Sequence, residues 1–190
     1  MLLRPRTFRK SDFSELGEMA FPGPASSCGS IHGSQLRRKG TLDKMALISV
    51  TRLRVRSFSY LPQFLWDTFK SMRQVERSSG FLGGRLLVNA KRVFWTMTAW
   101  KDEAAMNAYR TGGAHRNAMP KLLNWCDEAA VVHWTQESSE VPFWHEAQQY
   151  MAKEGKPSKV NHPSSAQASN HIPAPELSRI QRKLKPVLKV

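Results

Sequence analysis

Cysteine is scarce in this chain: Cys28 and Cys126 are the two among 190 residues, and they stand in segments of unlike character. That excludes a small domain stapled by disulfides and points to a reducing compartment. Acid is scarce too, with 15 Asp and Glu against 29 Lys and Arg and a formal net charge of +14. The excess is spread, +4 over residues 1–44, +6 over 45–137 and +4 over 138–190, and not gathered into the basic stripe of a nucleic-acid binder. No apolar run is long enough to span a bilayer. The Arg-rich start has no apolar signal core, and Asp12, Glu15 and Glu18 argue against a transit peptide, so a cytoplasmic protein is expected. Also missing are histidines or cysteines at zinc-ligand spacing, a phosphate loop and a nucleophile elbow.

What is present fits one core of ordinary size, 41% of the chain being hydrophobic. Residues 1–44, rich in Pro, Gly, Ser and charge, read as a disordered extension, with Met45 as an alternative start. Residues 46–56 alternate as a strand. Leu47, Ser49, Thr51, Leu53 and Val55 share one face, and Ile48, Val50, Arg52, Arg54 and Arg56 the other. The basic end of the second face emerges into solvent or meets an anion. Pro62 marks the first turn of a helix whose stripe is Leu61, Phe64, Leu65, Thr68, Phe69, Met72 and Val75; Trp66 lies off it. Residues 81–89 form a strand with a bulge or close approach at Gly83-Gly84, and a short turn leads into the strand at 93–100. Asp102 caps a helix stopped by Gly112-Gly113, a second helical run covers 114–124, and a last strand covers 129–135. The order β-α-β-β-α-β predicts an α+β, ferredoxin-like sheet over 45–137.

In the strand at 93–100, Val93, Trp95, Met97 and Ala99 point one way and Phe94, Thr96, Thr98 and Trp100 the other. Apolar bulk on both faces needs cover on both, and the two helices cover one. A second copy packed on the sheet face is the expected cover, hence a homodimer. An accessory helix is expected within 138–155, and a disordered basic tail over 156–190.

Phe94-Trp95-Thr96 through Trp100, then Glu103-Ala104-Ala105-Met106, Tyr109 and Gly113-Ala114-His115, resemble the antibiotic-biosynthesis-monooxygenase-like proteins of the dimeric α+β barrel superfamily. The local pattern is nearest the spheroidene-monooxygenase-like branch, and the resemblance covers 46–136. It implies dimerisation through the sheets and a pocket between sheet and helices. It further implies a monooxygenase-type oxidation of an apolar small molecule, with haem or with no cofactor. In haem-degrading relatives an asparagine on the first strand joins a tryptophan and a histidine. Trp100 and His115 match the last two, but Thr51 or Arg52 stands where the asparagine is wanted, so haem degradation is not expected. If haem is bound, the resemblance makes His115 the iron ligand, with Trp100 and Phe94 as walls and Arg52 or Arg116 meeting the carboxylates.

Each of these residues also has a plain reading. His115 can be a helix-start hydrogen-bonding residue, Trp100 core, and Arg52, Arg54 and Arg85 exposed strand arginines. His133, between Val132 and Trp134, reads as a core, interface or pocket residue, and the case for His145 is weak. The rival functions are a non-catalytic ligand-binding module and a non-oxidative isomerase or dehydratase on the same scaffold.

Overall fold

A computed structural model describes residues 45–175 and 180–187. The elements are β1 (Ala46–Val55), a 3-10 turn (Phe58–Tyr60), α1 (Leu61–Val75), β2 (Phe81–Val88), β3 (Val93–Trp100), α2 (Glu103–Arg110) and α3 (Gly113–Trp125). Then come β4 (Cys126–Gln136), α4 (Trp144–Glu154), β5 (Lys156–Pro157), α5 (Ser165–Ala168) and β6 (Ile180–Leu184). The expectations for residues 1–44 lie outside the described residues.

The strands form one antiparallel sheet in the order β5-β4-β1-β3-β2-β6, so the expected ferredoxin-like order β4-β1-β3-β2 sits at its centre. Local chemistry explains the joints. Pro62 lies in the first turn of α1, and the Asp102 carboxylate accepts the Ala105 N–H at 2.8 Å to cap α2. Asn89 Oδ1 accepts the N–H groups of Lys91 and Val93, which closes the turn between β2 and β3. The register with β3 shifts between Phe81 and Gly83, just before the glycine pair, and a Cβ on Gly84 would stand 2.6 Å from the Met97 carbonyl, so the irregularity precedes the pair and the close approach is at Gly84.

The two faces of the sheet are covered differently. α1, α2 and α3 lie on the side of Leu53, Phe94 and Trp100. The opposite side, with Ile48, Val50, Trp95, Met97 and Val132, packs against Trp144, Ala147 and Met151 of α4, with Val141 and Ile172 at the margin. Trp95 is 2% exposed and Met97 0% within a single chain. This corrects the reasoning that led to a dimer: the face reserved for a second copy is closed by the chain's own later residues. Ala147 and Met151, four apart on one face of α4, supply the fit.

Residues 156–175 and 180–187 also depart from the expected disordered tail. They are poor in apolar side chains, and polar contacts hold them instead. Ser158, Asn161 and Ser164 donate their backbone N–H groups to the carbonyls of Ala129, Leu123 and Asp127. Gln167 bonds both backbone groups of Ala129, and β6 pairs with β2 from Gly84 to Val88. A further correction concerns α1, which is rotated so that Leu65 and Phe69 leave the core, while Phe64 and Val75 are buried. Trp66 stands off the buried stripe, as its position implied.

Candidate active site

The helix-facing side of the sheet holds two apolar clusters with a polar band between them. At one end Phe64 meets Phe94 at 4.6 Å between ring centroids, above Val55 and Trp125. At the other, Trp100 packs with Phe81, Met106 and Val75. Between them, register aligns Thr98, Ser49 and His133 in one row across β3, β1 and β4, and Thr96, Thr51 and Val131 in the next. Ser49, Thr51, Thr96 and Val131 are half-buried and His133 is exposed, although β1 is a central strand. On the opposite side of the same strands Ile48, Val50, Met97 and Ala99 are completely buried. The helices therefore cover the polar rows only in part, least at the β4 end.

Hydrogen bonds fix one end of the first row. Trp100 Nε1 donates to Thr98 Oγ1 at 3.0 Å, and that hydroxyl donates to the Ser49 carbonyl at 3.4 Å. The His133 ring has no hydrogen-bond partner among the described residues. Burial lowers its pKa, and the charge of Arg110 adds to the shift, so the imidazole is neutral at neutral pH and free to accept a proton.

Trp100 and His115 are on the same side of the sheet, joined through Tyr109. The Trp100 and Tyr109 centroids are 5.2 Å apart, and those of Tyr109 and His115 are 4.6 Å apart. His115 is fixed by its surroundings: its backbone N–H donates to Gln74 Oε1, and its Nδ1 lies 3.2 Å from the Arg110 carbonyl. Desolvation lowers its pKa. Phe94 lies at the far end of β3 from Trp100, and Arg116 is exposed on α3.

Arg52 faces the other side of the sheet. Its Nη1 is 2.6 Å from Glu128 Oε2, and both side chains are almost wholly buried. Arg54 forks onto Asp127 at 2.7 and 2.8 Å and reaches Glu128 at 2.8 Å. The anion at the basic end of β1 is thus the chain's own, and Asp127 and Glu128 are paired carboxylates, not solvated ones. Cys126, beside them, is buried with its thiol pushed up to about 12 by burial and by Asp127, so it is not a nucleophile.

A haem held by His115 does not fit this arrangement. If Nδ1 donates to Arg110, Nε2 is left with the lone pair a ligand needs. Yet the nearest groove, about 370 Å³, is lined by Gln74, Ser78, Ser79, Ala105, Ala108 and Tyr109 and not by His115. Of the expected carboxylate partners, Arg52 is across the sheet and committed to Glu128. Among the described residues no three His, Cys, Asp or Glu side chains gather as a metal site.

The family model described as antibiotic biosynthesis monooxygenase matches residues 63–121, from within α1 to within α3. Over those residues the chain is similar to that family. The match is to the family as a whole and does not reach the spheroidene-monooxygenase-like branch. No curated protein matches the chain. Among solved structures, a conserved protein from Methanosarcina mazei Go1 is similar at a TM-score of 0.43 and 13% identity, over 49% of this chain and 94% of that one. A putative antibiotic biosynthesis monooxygenase from Nitrosomonas europaea has a TM-score of 0.42 and 16% identity, over 48% and 89%. SnoaB from Streptomyces nogalater, described as a cofactor-independent oxygenase, has a TM-score of 0.39 and 13% identity, over 50% and 94%. The family match ends before β4, so His133 lies outside it. His133 shares the polar parity of Ser49 and Thr98, which becomes visible only once the strands are aligned, because Val132 and Trp134 flank it in the chain.

Proposed function

We propose that this protein is a monooxygenase-type enzyme that oxidises an apolar, weakly acidic small molecule without haem, over the partly covered polar row on the helix-facing side of the sheet. The observation that carries this reading is the polar row Thr98–Ser49–His133 on the helix-facing side, buried at Thr98 and progressively exposed through Ser49 to His133, set against complete burial on the other side. Trp100 and Leu47 supply apolar wall beside that row. His133 acts as the general base, removing a proton from an activated CH₂ of the substrate. The carbanion passes its electrons to dioxygen and forms a C–O bond. The resulting peroxide takes the proton from His133, and loss of water leaves a carbonyl, with one oxygen atom in the product and the other in water. The functional unit is a single chain, since α4 occupies the sheet face that a partner would use.

The test is oxygen consumption and product mass with a panel of anthrone-like and phenolic substrates. The His133→Gln variant is expected to lower kcat by at least about a hundredfold, the usual span for a lost general base. Unchanged turnover in that variant rejects the assignment. The polar row supplies proton transfer on its own, which favours an isomerase or dehydratase as the second reading. Turnover that persists without oxygen and still depends on His133 selects it.

A further inference from the structure

The outward face of α1 has no part in the core or the polar rows. On it Leu65, Trp66 and Phe69 are exposed, Trp66 at 61%, and Phe58 in the preceding turn is exposed at 67%. Each of the three aromatic rings carries a cation. Arg92 lies 4.5 Å from the Phe58 centroid, Lys70 5.8 Å from Trp66 and Arg73 5.7 Å from Phe69. Arg77 is exposed one turn further on. Lys70 is paired with Asp67 and Arg92 donates to the Val55 carbonyl, which leaves Arg73 and Arg77 as the cations of this face with no acid partner among the described residues. Asp67 points inward and is bridged by both Lys70 and Lys121, and Glu76 is half-buried at the helix end.

We propose that this face of α1 docks the protein onto a bilayer surface containing anionic lipid. Aromatic and aliphatic side chains that project together can enter the acyl boundary, while the cations beside them meet lipid phosphates. The formal charge of +14 on the whole chain adds long-range attraction to such a surface. A second copy is a poor occupant, because a twofold contact would set these cations against their own kind. A single-stranded nucleic acid needs open ring faces for stacking. Here cations cover the rings, and Trp66 and Phe69 lie against each other, 6.0 Å apart and tilted by 23°. The proposal does not depend on the chemistry of the polar row.

The test uses the full chain in sedimentation with phosphatidylcholine vesicles, with and without phosphatidylglycerol. Wild type is expected to sediment with the anionic vesicles only and to be released as salt rises. The surface double variant W66A/F69A should keep its circular dichroism spectrum and lose about tenfold or more in vesicle partition, in line with removing two inserted rings. R73E/R77E should lose the preference for anionic lipid. Absence of binding to either vesicle overturns the proposal, as does equal binding by wild type and both variants. Tighter binding to a single-stranded oligonucleotide through Trp66 and Phe69 overturns it as well.

Discussion

Two histidines are held below the ordinary value, His115 by burial and the more exposed His133 by partial desolvation and the neighbouring charge of Arg110. The unfolded chain binds protons on them at pH values where the fold does not. Stability therefore falls as pH drops through the ordinary histidine value of about 6.5, and levels off below the folded values. Chemical denaturation between neutral and mildly acidic pH should show this slope, and His115→Gln should make it shallower. Glu128 sets a larger effect. Its carboxylate is buried among Arg52, Arg54 and the Ser164 hydroxyl, which donates to Oε1 at 2.9 Å. Glu128→Ala leaves Arg52 buried without its anion, at an expected cost of about 3–5 kcal/mol in urea unfolding. The double variant R52M/E128L should recover most of that loss. Arg52 Nε and Trp95 Nε1, aligned across β1 and β3, are buried with no partner among the described residues, so this corner is not fully satisfied even in the native fold.

The elements of the central sheet were legible because local signals and tertiary demands agree. The alternation in β1, the turn at Asn89, the Asp102 cap and the close approach at Gly84 all stand where the chain implied them. α1 was legible as a helix but not in its rotation, since its apolar positions reach more than halfway round the cylinder and burial selects only one edge. The role of α4 was hidden for a different reason. Trp144, Ala147 and Met151 look like an ordinary amphipathic helix until the sheet beneath them is known. Met151→Ala should therefore cost about 2–5 kcal/mol in equilibrium unfolding, as for a core methionine, and not the few tenths expected of an accessory helix. Contacts after Gly155 were beyond reach, because backbone carbonyls and polar side chains such as Gln167 and Ser164 hold much of that segment, and the apolar residues that pack, Val160, Ile172 and Leu184, are too scattered to show a period. The site was half legible: Trp100 and His115 do share a layer, but the row that ends in His133 exists only through strand register.

For the molecule as a whole, α4 of the same chain covers the sheet face on which a second copy was expected. Light scattering after size exclusion should give the mass of one chain at micromolar concentration. Dimer mass under those conditions would return the sheet face to its expected role. Among the described residues no helix is long and apolar enough to cross a membrane.

The seat of α4 on the sheet has one more consequence. A homodimer would place two symmetry-related sites back to back, each able to sense whether the other is filled. With α4 on that face, a sheet-to-sheet contact cannot couple two such sites. Titration with any ligand of the site should then trace a simple hyperbola with one equivalent per polypeptide, and activity should scale linearly with enzyme concentration down to the lowest dilution that can be assayed.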